Sequence, residues 1–351
     1  MSETFPTAPA PIVMRLNPGD VPAEVVERLR AGAIVAPADV RVLDLTGPGA
    51  VASFQGLLTS DIEKPGDGAF VYGALLTPKG MIVVDGWAAR LGARVRFTVP
   101  SEGQERAAAI LHRSVPPRLA RTVDRSDDSV VLRVAGGHAV AILGASGLPV
   151  PPHGGHAVEA TVDDMPDMTL EIARASDRAP FVFQITAAAE HREALVDRLI
   201  RGGAAVADAA ALELARILAG WPRLASEVDE KTIPQEIGYD DIGGISYTKG
   251  CYTGQETVSR LHFRGHANRH LRGLLFELDS PAPPAEGWSA VTEDEREVGR
   301  VTSIAWVAGA DRWIGLAVIR REVALGAVVR AAGREARIVT LPFDILTVGP
   351  A

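Results

Sequence analysis

The residues with the clearest chemical potential lie in the segment KGCYTGQE, which contains Cys251, the only cysteine of the chain. Lys249 precedes the cysteine by two residues, and Thr253 with Glu256 fits the capping-box pattern of a helix N-terminus. The sequence therefore predicts a helix that begins after Thr253 and continues through Leu261. Because a helix dipole and a neighbouring ammonium both favour a thiolate, the pattern indicates a nucleophilic or redox-active cysteine.

A purely structural interpretation of the same segment stays open at this point, since free cysteines are usually buried and unreactive. In that interpretation Gln255 and Glu256 only cap the helix, and Arg260 is the surface partner of Glu256 at the i, i+4 spacing. A lone thiol forms no internal disulfide and supplies too few ligands for an iron–sulfur cluster. Cys251 therefore acts by itself or together with a partner protein.

The elements that must position this segment have an α+β pattern. Residues 1–20 are rich in proline and polar residues and are predicted to form a loose arm. Over residues 21–268, antiparallel strand patterns mix with amphipathic helices, and a Pro/Gly-rich linker near 149–155 separates two subdomains. Short strands punctuated by glycines follow, and they predict a β-barrel domain over 269–351.

The composition of the 351 residues is that of a globular chain, with 47% hydrophobic and 23% charged residues. The net charge of −8 argues against uniform electrostatic binding to nucleic acid or to an anionic membrane. No apolar stretch reaches the ~20 residues that span a bilayer, and the N-terminus lacks the pattern of a signal peptide. We therefore expect a cytoplasmic protein that does not contact a membrane.

Several segments together resemble the YgfZ-type proteins, which are folate-binding relatives of the glycine-cleavage aminomethyltransferase. The string at 249–256 is similar to the K-G-C-Y-x-G-Q-E signature of that family, in which one position is free. The resemblance covers about residues 40–275. Further similar segments, in the order of the family, are Asp44 with FQGLLTSD (54–61), LTPKG (76–80), Arg216 with AGWP (219–222), and IPQE (233–236).

The resemblance implies an aminomethyltransferase-like fold, in which intertwined α+β subdomains and a C-terminal β-barrel surround a central cavity. It also implies tetrahydrofolate as the cofactor and a role in assembly or repair of iron–sulfur enzymes, including enzymes that thiomethylate tRNA. Iron–sulfur client or assembly proteins would then be the partners. In the family the motif cysteine is most closely tied to activity, which points to Cys251 with Lys249 beside it. The candidate folate-binding residues are Tyr252, Gln255, Glu256, Asp85, Arg216 and Arg260.

The chain departs from the aminomethyltransferase pattern at two places. A glutamate of the R-L-E-A-G segment is replaced by Leu218, and a pair of adjacent aspartates is replaced by Val84 and Asp85. The missing carboxylates are groups suited to pterin binding and proton transfer. Whether the chain is an enzyme is therefore open. The alternative function is folate-dependent transfer of an aminomethyl or methyl group to a protein or RNA acceptor.

Basic residues after the motif suggest further alternatives. His262, His266 and His270 are spaced by four, as metal ligands on one helix face would be, but Gly265 interrupts that helix, and no metal site is expected. The local arginine cluster has charge suited to the glutamate tail of a folate or to RNA phosphates. A third hypothesis is accordingly direct RNA binding by a non-enzymatic module. The cluster consists of Arg260, Arg264, Arg269 and Arg272.

Overall fold

The chain is represented by a computed structural model, which describes residues 12–162, 165–277 and 290–344. Its helices are α1 (Ala23–Ala31), α2 (Ala50–Gln55), α3 (Gln104–Ser114), α4 (Ala139–Ala145), α5 (Arg192–Arg201), α6 (Ala209–Ala219) and α7 (Gln255–Arg264). Short 3-10 turns occupy Ser101–Gly103, Ala189–His191 and Pro234–Ile237. Within the described ranges, no helix combines the length and hydropathy needed to cross a membrane.

The strands fall into three sheets of five, six and seven strands. In chain order they are β1 (Met14–Leu16), β2 (Ile34–Pro37), β3 (Val40–Thr46), β4 (Phe70–Leu76), β5 (Ile82–Leu91), β6 (Arg94–Pro100), β7 (Arg121–Asp124), β8 (Ser129–Ala135), β9 (His156–Val162), β10 (Met165–Arg174), β11 (Phe183–Ala188), β12 (Ala205–Val206), β13 (Arg269–Phe276), β14 (Ala290–Glu293), β15 (Arg296–Val307), β16 (Arg312–Arg320), β17 (Val328–Ala331) and β18 (Arg334–Val339).

The five-stranded sheet is antiparallel and has the order β4-β5-β6-β3-β7. Its β4–β5 hairpin pairs Tyr72 with Trp87 and Ala74 with Asp85, so these four residues lie on one face. The opposite face packs against α2 and α3 in a separate apolar core around Phe54. This alternation places one polar residue, Asp85, on the face that the hairpin turns toward the rest of the body.

The six-stranded sheet has the order β12-β2-β8-β11-β10-β9, with a parallel β12–β2 pair and otherwise antiparallel neighbours. Helices α4 and α5 contribute Leu143, Leu195 and Leu199 to the apolar core on one of its faces. An isolated bridge between Ala69 and His156 joins this sheet to the five-stranded one. The two sheets give the body two α+β units that are interleaved in the chain, because β2 and β8 of the six-stranded sheet precede the predicted linker at 149–155 and β9 to β12 follow it.

The C-terminal sheet closes on itself, because β16 pairs with both β13 and β15. Strands β13 to β18 form a six-stranded barrel around a core that includes Trp313, and the fold class predicted from the sequence is confirmed. Strand β1 lies parallel to β15 and extends the sheet. Residues 14–16 are thus part of a sheet and not of a loose arm, whereas residues 1–11 of that predicted arm lie outside the described part of the chain.

Candidate functional site

The cysteine loop, defined as residues 249–254, leads into a helix that begins one residue later than predicted. Helix α7 starts at Gln255, and its N-cap is Gly254 in the left-handed region, with φ of 82° and no side-chain cap. The capping box predicted for Thr253 and Glu256 is therefore wrong. Glycine occupies the N-cap because this backbone conformation strains residues with a Cβ atom.

Close packing against the β4–β5 hairpin also requires glycine at position 254. A Cβ atom added to Gly254 would lie 2.6 Å from the carbonyl oxygen of Thr77, and one added to Gly80 would lie 3.0 Å from the Cβ of Thr257. The backbone N–H of Thr253 donates to the carbonyl of Gly56 at 3.1 Å. Three separate sequence motifs thus meet in space: the segment 54–61, the turn at 76–80 and the cysteine loop.

Lys249 joins two of these motifs through its ammonium group. The Nζ atom donates to the backbone carbonyls of Gln55, Leu58 and Ser60 at 2.7, 2.6 and 2.9 Å. Burial lowers the pKa of Lys249 to about 8, against the attraction of the carboxylates of Asp61 and Glu63. All three ammonium N–H bonds are used to hold the segment 54–61, so this geometry gives Lys249 a positioning role.

Cys251 is exposed at the surface of the loop. Next to it, Tyr252 is buried, with the Lys249 ammonium 5.2 Å from the centre of its ring. Gln255 accepts a hydrogen bond from the backbone N–H of Tyr252 at 3.4 Å, while Glu256 and Arg260 face solvent. The loop is therefore a fixed support that presents one thiol to the surroundings.

The body contains a central cavity of about 300 Å³, and the cysteine loop does not line it. This volume is at the lower end of the range for small-molecule sites. The cavity walls come from both subdomains, from β1 and from α6. They include four aromatic side chains and several ionisable ones. The aromatic residues are Tyr72, Trp87, Phe181 and Trp221, and the charged residues are Asp39, Asp85, Glu102, Arg133, Glu213, Arg216 and Arg223.

Asp85 is the buried carboxyl group of this cavity, with 2% of its surface exposed. Its Oδ2 atom accepts hydrogen bonds from the hydroxyls of Tyr72 and Tyr239, each at 2.8 Å. Burial raises the pKa of Asp85 to about 6, and the two tyrosine hydroxyls oppose that shift. Asp85 therefore changes protonation close to neutral pH, and its second oxygen can accept an N–H bond from a ligand.

Arg216 also lines the cavity, but every N–H bond of its guanidinium has a partner within the protein. Its donors reach the carboxylates of Glu213 at 2.7 Å and Glu227 at 3.0 Å, the Ser303 hydroxyl at 2.7 Å and the carbonyl of Trp221. The two carboxylates raise the pKa of Arg216 despite its burial. This arginine links α6 to the barrel and has no donor left for a folate.

The structure therefore divides the candidate residues between two places. Asp85 and Arg216 line the cavity, whereas Lys249, Cys251 and the rest of the motif lie outside its walls. The arginine cluster is also divided, because Arg269 forms a two-bond ion pair with Glu236 at 3.0 and 3.1 Å. The candidates outside the cavity are Lys249, Cys251, Tyr252, Gln255, Glu256 and Arg260.

Several residues in or next to the cavity were not predicted from the sequence. Only some of them could have been found from the pattern of neighbouring residues. The hairpin register puts Tyr72 and Trp87 on the face of Asp85, so strand alternation was sufficient to find both. Tyr239 lies 154 residues from Asp85, in a segment without regular periodicity. Arg133 and Phe181 come from the other sheet or the loop before β11, and no local pattern connects them with the hairpin.

Comparison with known proteins agrees with this architecture. Residues 23–242 match the GCVT N-terminal domain, and residues 269–344 match the glycine cleavage T-protein C-terminal barrel domain. A solved structure, the glycine cleavage system aminomethyltransferase T of Bartonella henselae, superposes with a TM-score of 0.76 over 94% of this chain and 91% of that one. At 20% sequence identity this likeness concerns the fold alone.

Curated relatives add a more specific resemblance. The tRNA-modifying protein YgfZ of Serratia proteamaculans is 30% identical over 290 residues, covering 79% of this chain and 81% of the relative. The aminomethyltransferase of Rubrobacter xylanophilus is 28% identical over 313 residues, covering 85% and 79%. The chain belongs to the glycine cleavage T-protein family. Within it, the similarity to YgfZ proteins predicted from the motifs is confirmed.

Proposed function

We propose that this protein binds tetrahydrofolate in its central cavity and supports tRNA modification through iron–sulfur enzymes. The observation that carries the proposal is Asp85, a buried carboxyl group with a free acceptor site in a cavity with aromatic walls. Membership of a family with relatives named tRNA-modifying protein YgfZ supports the cellular role. A reduced pterin offers both a planar ring and N–H donors, which match these walls.

In this proposal the cavity residues bind and orient the folate. The side chains of Trp87 and Trp221 stack on each other, with ring centroids 5.5 Å apart and an angle of 13° between the planes, and Tyr72 contacts Trp221 edge-on with ring centroids 4.7 Å apart. Asp85 accepts an N–H bond from the ligand while two tyrosines fix its orientation. When bound, tetrahydrofolate would supply one-carbon chemistry or an allosteric signal of occupancy. The cysteine loop lies outside the cavity walls and leaves the Cys251 thiol available to an iron–sulfur client protein.

The experiment is an anaerobic titration of tryptophan fluorescence with tetrahydrofolate, together with complementation of a deletion strain. We expect Asp85→Asn to weaken binding by about 10- to 100-fold, because one hydrogen bond to a charged group is lost. Cys251→Ala should bind within about twofold of the original protein, yet fail to restore thiomethylated tRNA nucleosides. The absence of saturable binding, or full complementation by Cys251→Ala, would contradict the proposal.

The alternative, one-carbon transfer to a protein or RNA acceptor, is favoured by one observation. A carboxyl group whose pKa is about 6 is well suited to take up and release a proton near neutral pH. Purified protein incubated with methylenetetrahydrofolate and total tRNA or cell protein would then consume the folate catalytically. If the folate is bound but not consumed, the binding function stands and the transferase alternative fails.

A further inference from the structure

The three arginines of the central cavity differ in their partners. Arg216 is neutralised by Glu213 and Glu227, and Arg223 contacts Glu102 at 3.2 Å and Glu213 at 3.5 Å. Arg133 forms no ion pair with a carboxylate within the part of the chain that the structure describes. A cation of this kind is disfavoured in a protein interior unless a polar partner reaches it.

Arg133 is nevertheless held in one orientation. Its Nε and Nη2 atoms both donate to Gln184 Oε1, at 3.3 and 3.2 Å, and Gln184 is itself fixed by a bond from Nε2 to the hydroxyl of Thr98 at 3.2 Å. The guanidinium carbon lies 4.3 Å from the centre of the Phe181 ring. One edge of the fork is thus occupied, whereas the N–H bonds of Nη1 have no partner among the described residues.

The environment of Arg133 also affects the pKa of its guanidinium. Burial lowers the pKa of Arg133 to about 10, although the neighbouring Tyr72 opposes the change. A preorganised guanidinium in a cavity, with Nη1 lacking an acceptor among the described residues, is the arrangement by which a protein recognises an oxygen atom of a ligand. The geometry therefore calls for an acceptor that arrives with the bound molecule.

Three parts of a folate contain oxygen acceptors, the pterin carbonyl, the p-aminobenzoyl amide and the glutamyl carboxylates, and the surroundings of Arg133 favour the first. Phe181 packs against Trp87 with ring centroids 5.1 Å apart, so the guanidinium belongs to the aromatic wall. A planar ring gains most from such a wall. The glutamyl carboxylates are strongly hydrated and gain most by staying in contact with water.

We propose that Arg133 donates a hydrogen bond to the carbonyl oxygen of the pterin ring and makes the cavity select 4-oxo over 4-amino pterins. This assignment rests on the proposed folate site and identifies the residue that recognises the pterin ring. A 4-amino pterin replaces the carbonyl by an N–H donor, which would face the Nη1 donors of Arg133 and leave them without an acceptor. A site that hydrogen-bonds a particular polar group of its ligand binds analogues without that group much more weakly.

The test measures the affinities of tetrahydrofolate and its 4-amino analogue, tetrahydroaminopterin, for the full chain. We expect the original protein to prefer tetrahydrofolate by about 100-fold. Arg133→Met should reduce the preference to within about threefold, mainly by weakening tetrahydrofolate binding. Arg133→Lys keeps the charge without the fork and should show an intermediate preference. Tetrahydropteroate, which lacks the glutamyl group, should lose as much affinity for Arg133→Met as tetrahydrofolate does.

Each alternative result overturns a defined part of the argument. An unchanged preference in Arg133→Met would show that another residue reads the ring. A loss confined to glutamate-containing ligands would assign Arg133 to the tail instead. If the original protein bound neither tetrahydrofolate nor tetrahydropteroate, the proposed folate function itself would fail. Thermal unfolding of each variant identifies any loss of folding, and Arg133→Lys provides the second reading should Arg133→Met be unstable.

Discussion

The cysteine loop and the central cavity both contain buried polar groups, but they use them in opposite ways. In the loop, the Lys249 ammonium is saturated by three backbone carbonyls, and the reactive atom type, the Cys251 sulfur, is exposed. In the cavity, buried Asp85 and half-buried Arg133 retain unused hydrogen-bonding capacity. A cation whose N–H donors all have partners in the protein stabilises the backbone, whereas a cation with unused donors can bind a ligand. This contrast separates a surface suited to partner proteins from a site suited to a small molecule.

The largest expected loss of stability concerns Arg216, a cavity cation whose N–H donors, like those of Lys249, all have partners in the protein. Arg216→Met removes the cation shared by the buried carboxylates of Glu213 and Glu227, although Arg223 still lies 3.5 Å from Glu213, and we expect a cost of about 3 to 5 kcal/mol of unfolding free energy. Urea unfolding measures the change. Arg30→Met, which removes an exposed ion pair with Glu27, is the control and should cost below ~0.5 kcal/mol. A loss below ~1 kcal/mol for Arg216→Met would remove the structural role assigned to this arginine.

The next effect tests whether Lys249 is a structural residue. Lys249→Met leaves the carbonyls of Gln55, Leu58 and Ser60 without their donor, and we expect a loss of about 3 kcal/mol in urea unfolding. Lys64→Met is a matched control, because its exposed ammonium donates to one carbonyl, that of Thr248. The control should lose below ~1 kcal/mol. Equal losses of unfolding free energy in the two variants would contradict a structural role for Lys249 beyond that of a surface contact.

A third prediction follows from the raised pKa of Asp85 in the cavity. Between pH 4 and 6 the unfolded chain releases a proton that folded Asp85 retains, so the protein loses stability as the pH rises through this range. Above pH 6 the penalty is complete. Asp85→Asn should therefore be more stable than the original protein by about 3 kcal/mol at pH 8, and the difference should shrink toward pH 4.

Urea unfolding of the ligand-free proteins at several pH values measures this difference. Tetrahydrofolate affinity of the original protein should meanwhile fall as the pH drops through about 6, since protonated Asp85 accepts less well. Asp85→Asn should show no such pH dependence. A destabilised Asp85→Asn at pH 8 would indicate that Asp85 is a structural group like Arg216 and not a ligand-binding one.

The smallest expected stability effect belongs to the exposed thiol. Cys251→Ser should change the unfolding free energy by below ~0.5 kcal/mol, because an exposed side chain is replaced by one of similar size. The same variant should retain tetrahydrofolate affinity but fail to complement the deletion strain. A large stability loss would place Cys251 among the structural residues of the loop.

Much of the architecture follows from local sequence patterns. The apolar runs of the β4–β5 hairpin, the helical spacing of α5 and α6, and the evenly spaced strands of the barrel are each properties of a short segment. The sequence also singled out Cys251 by its glycine-flanked motif, and Asp85 through the resemblance to the aminomethyltransferase pattern. Periodicity of this kind is sufficient because secondary structure depends on neighbours a few residues away.

The partners of the polar side chains were decided by the tertiary structure. Lys249 was predicted to act on Cys251, yet its ammonium is bound to carbonyls more than 180 residues away. Gly254 replaces Thr253 as the helix N-cap because the hairpin turn packs against it. Arg133 and Asp85 share one cavity only after two sheets have come together. Short-range patterns determine which elements form, whereas the saturation of a buried charge depends on contacts between segments distant in the chain.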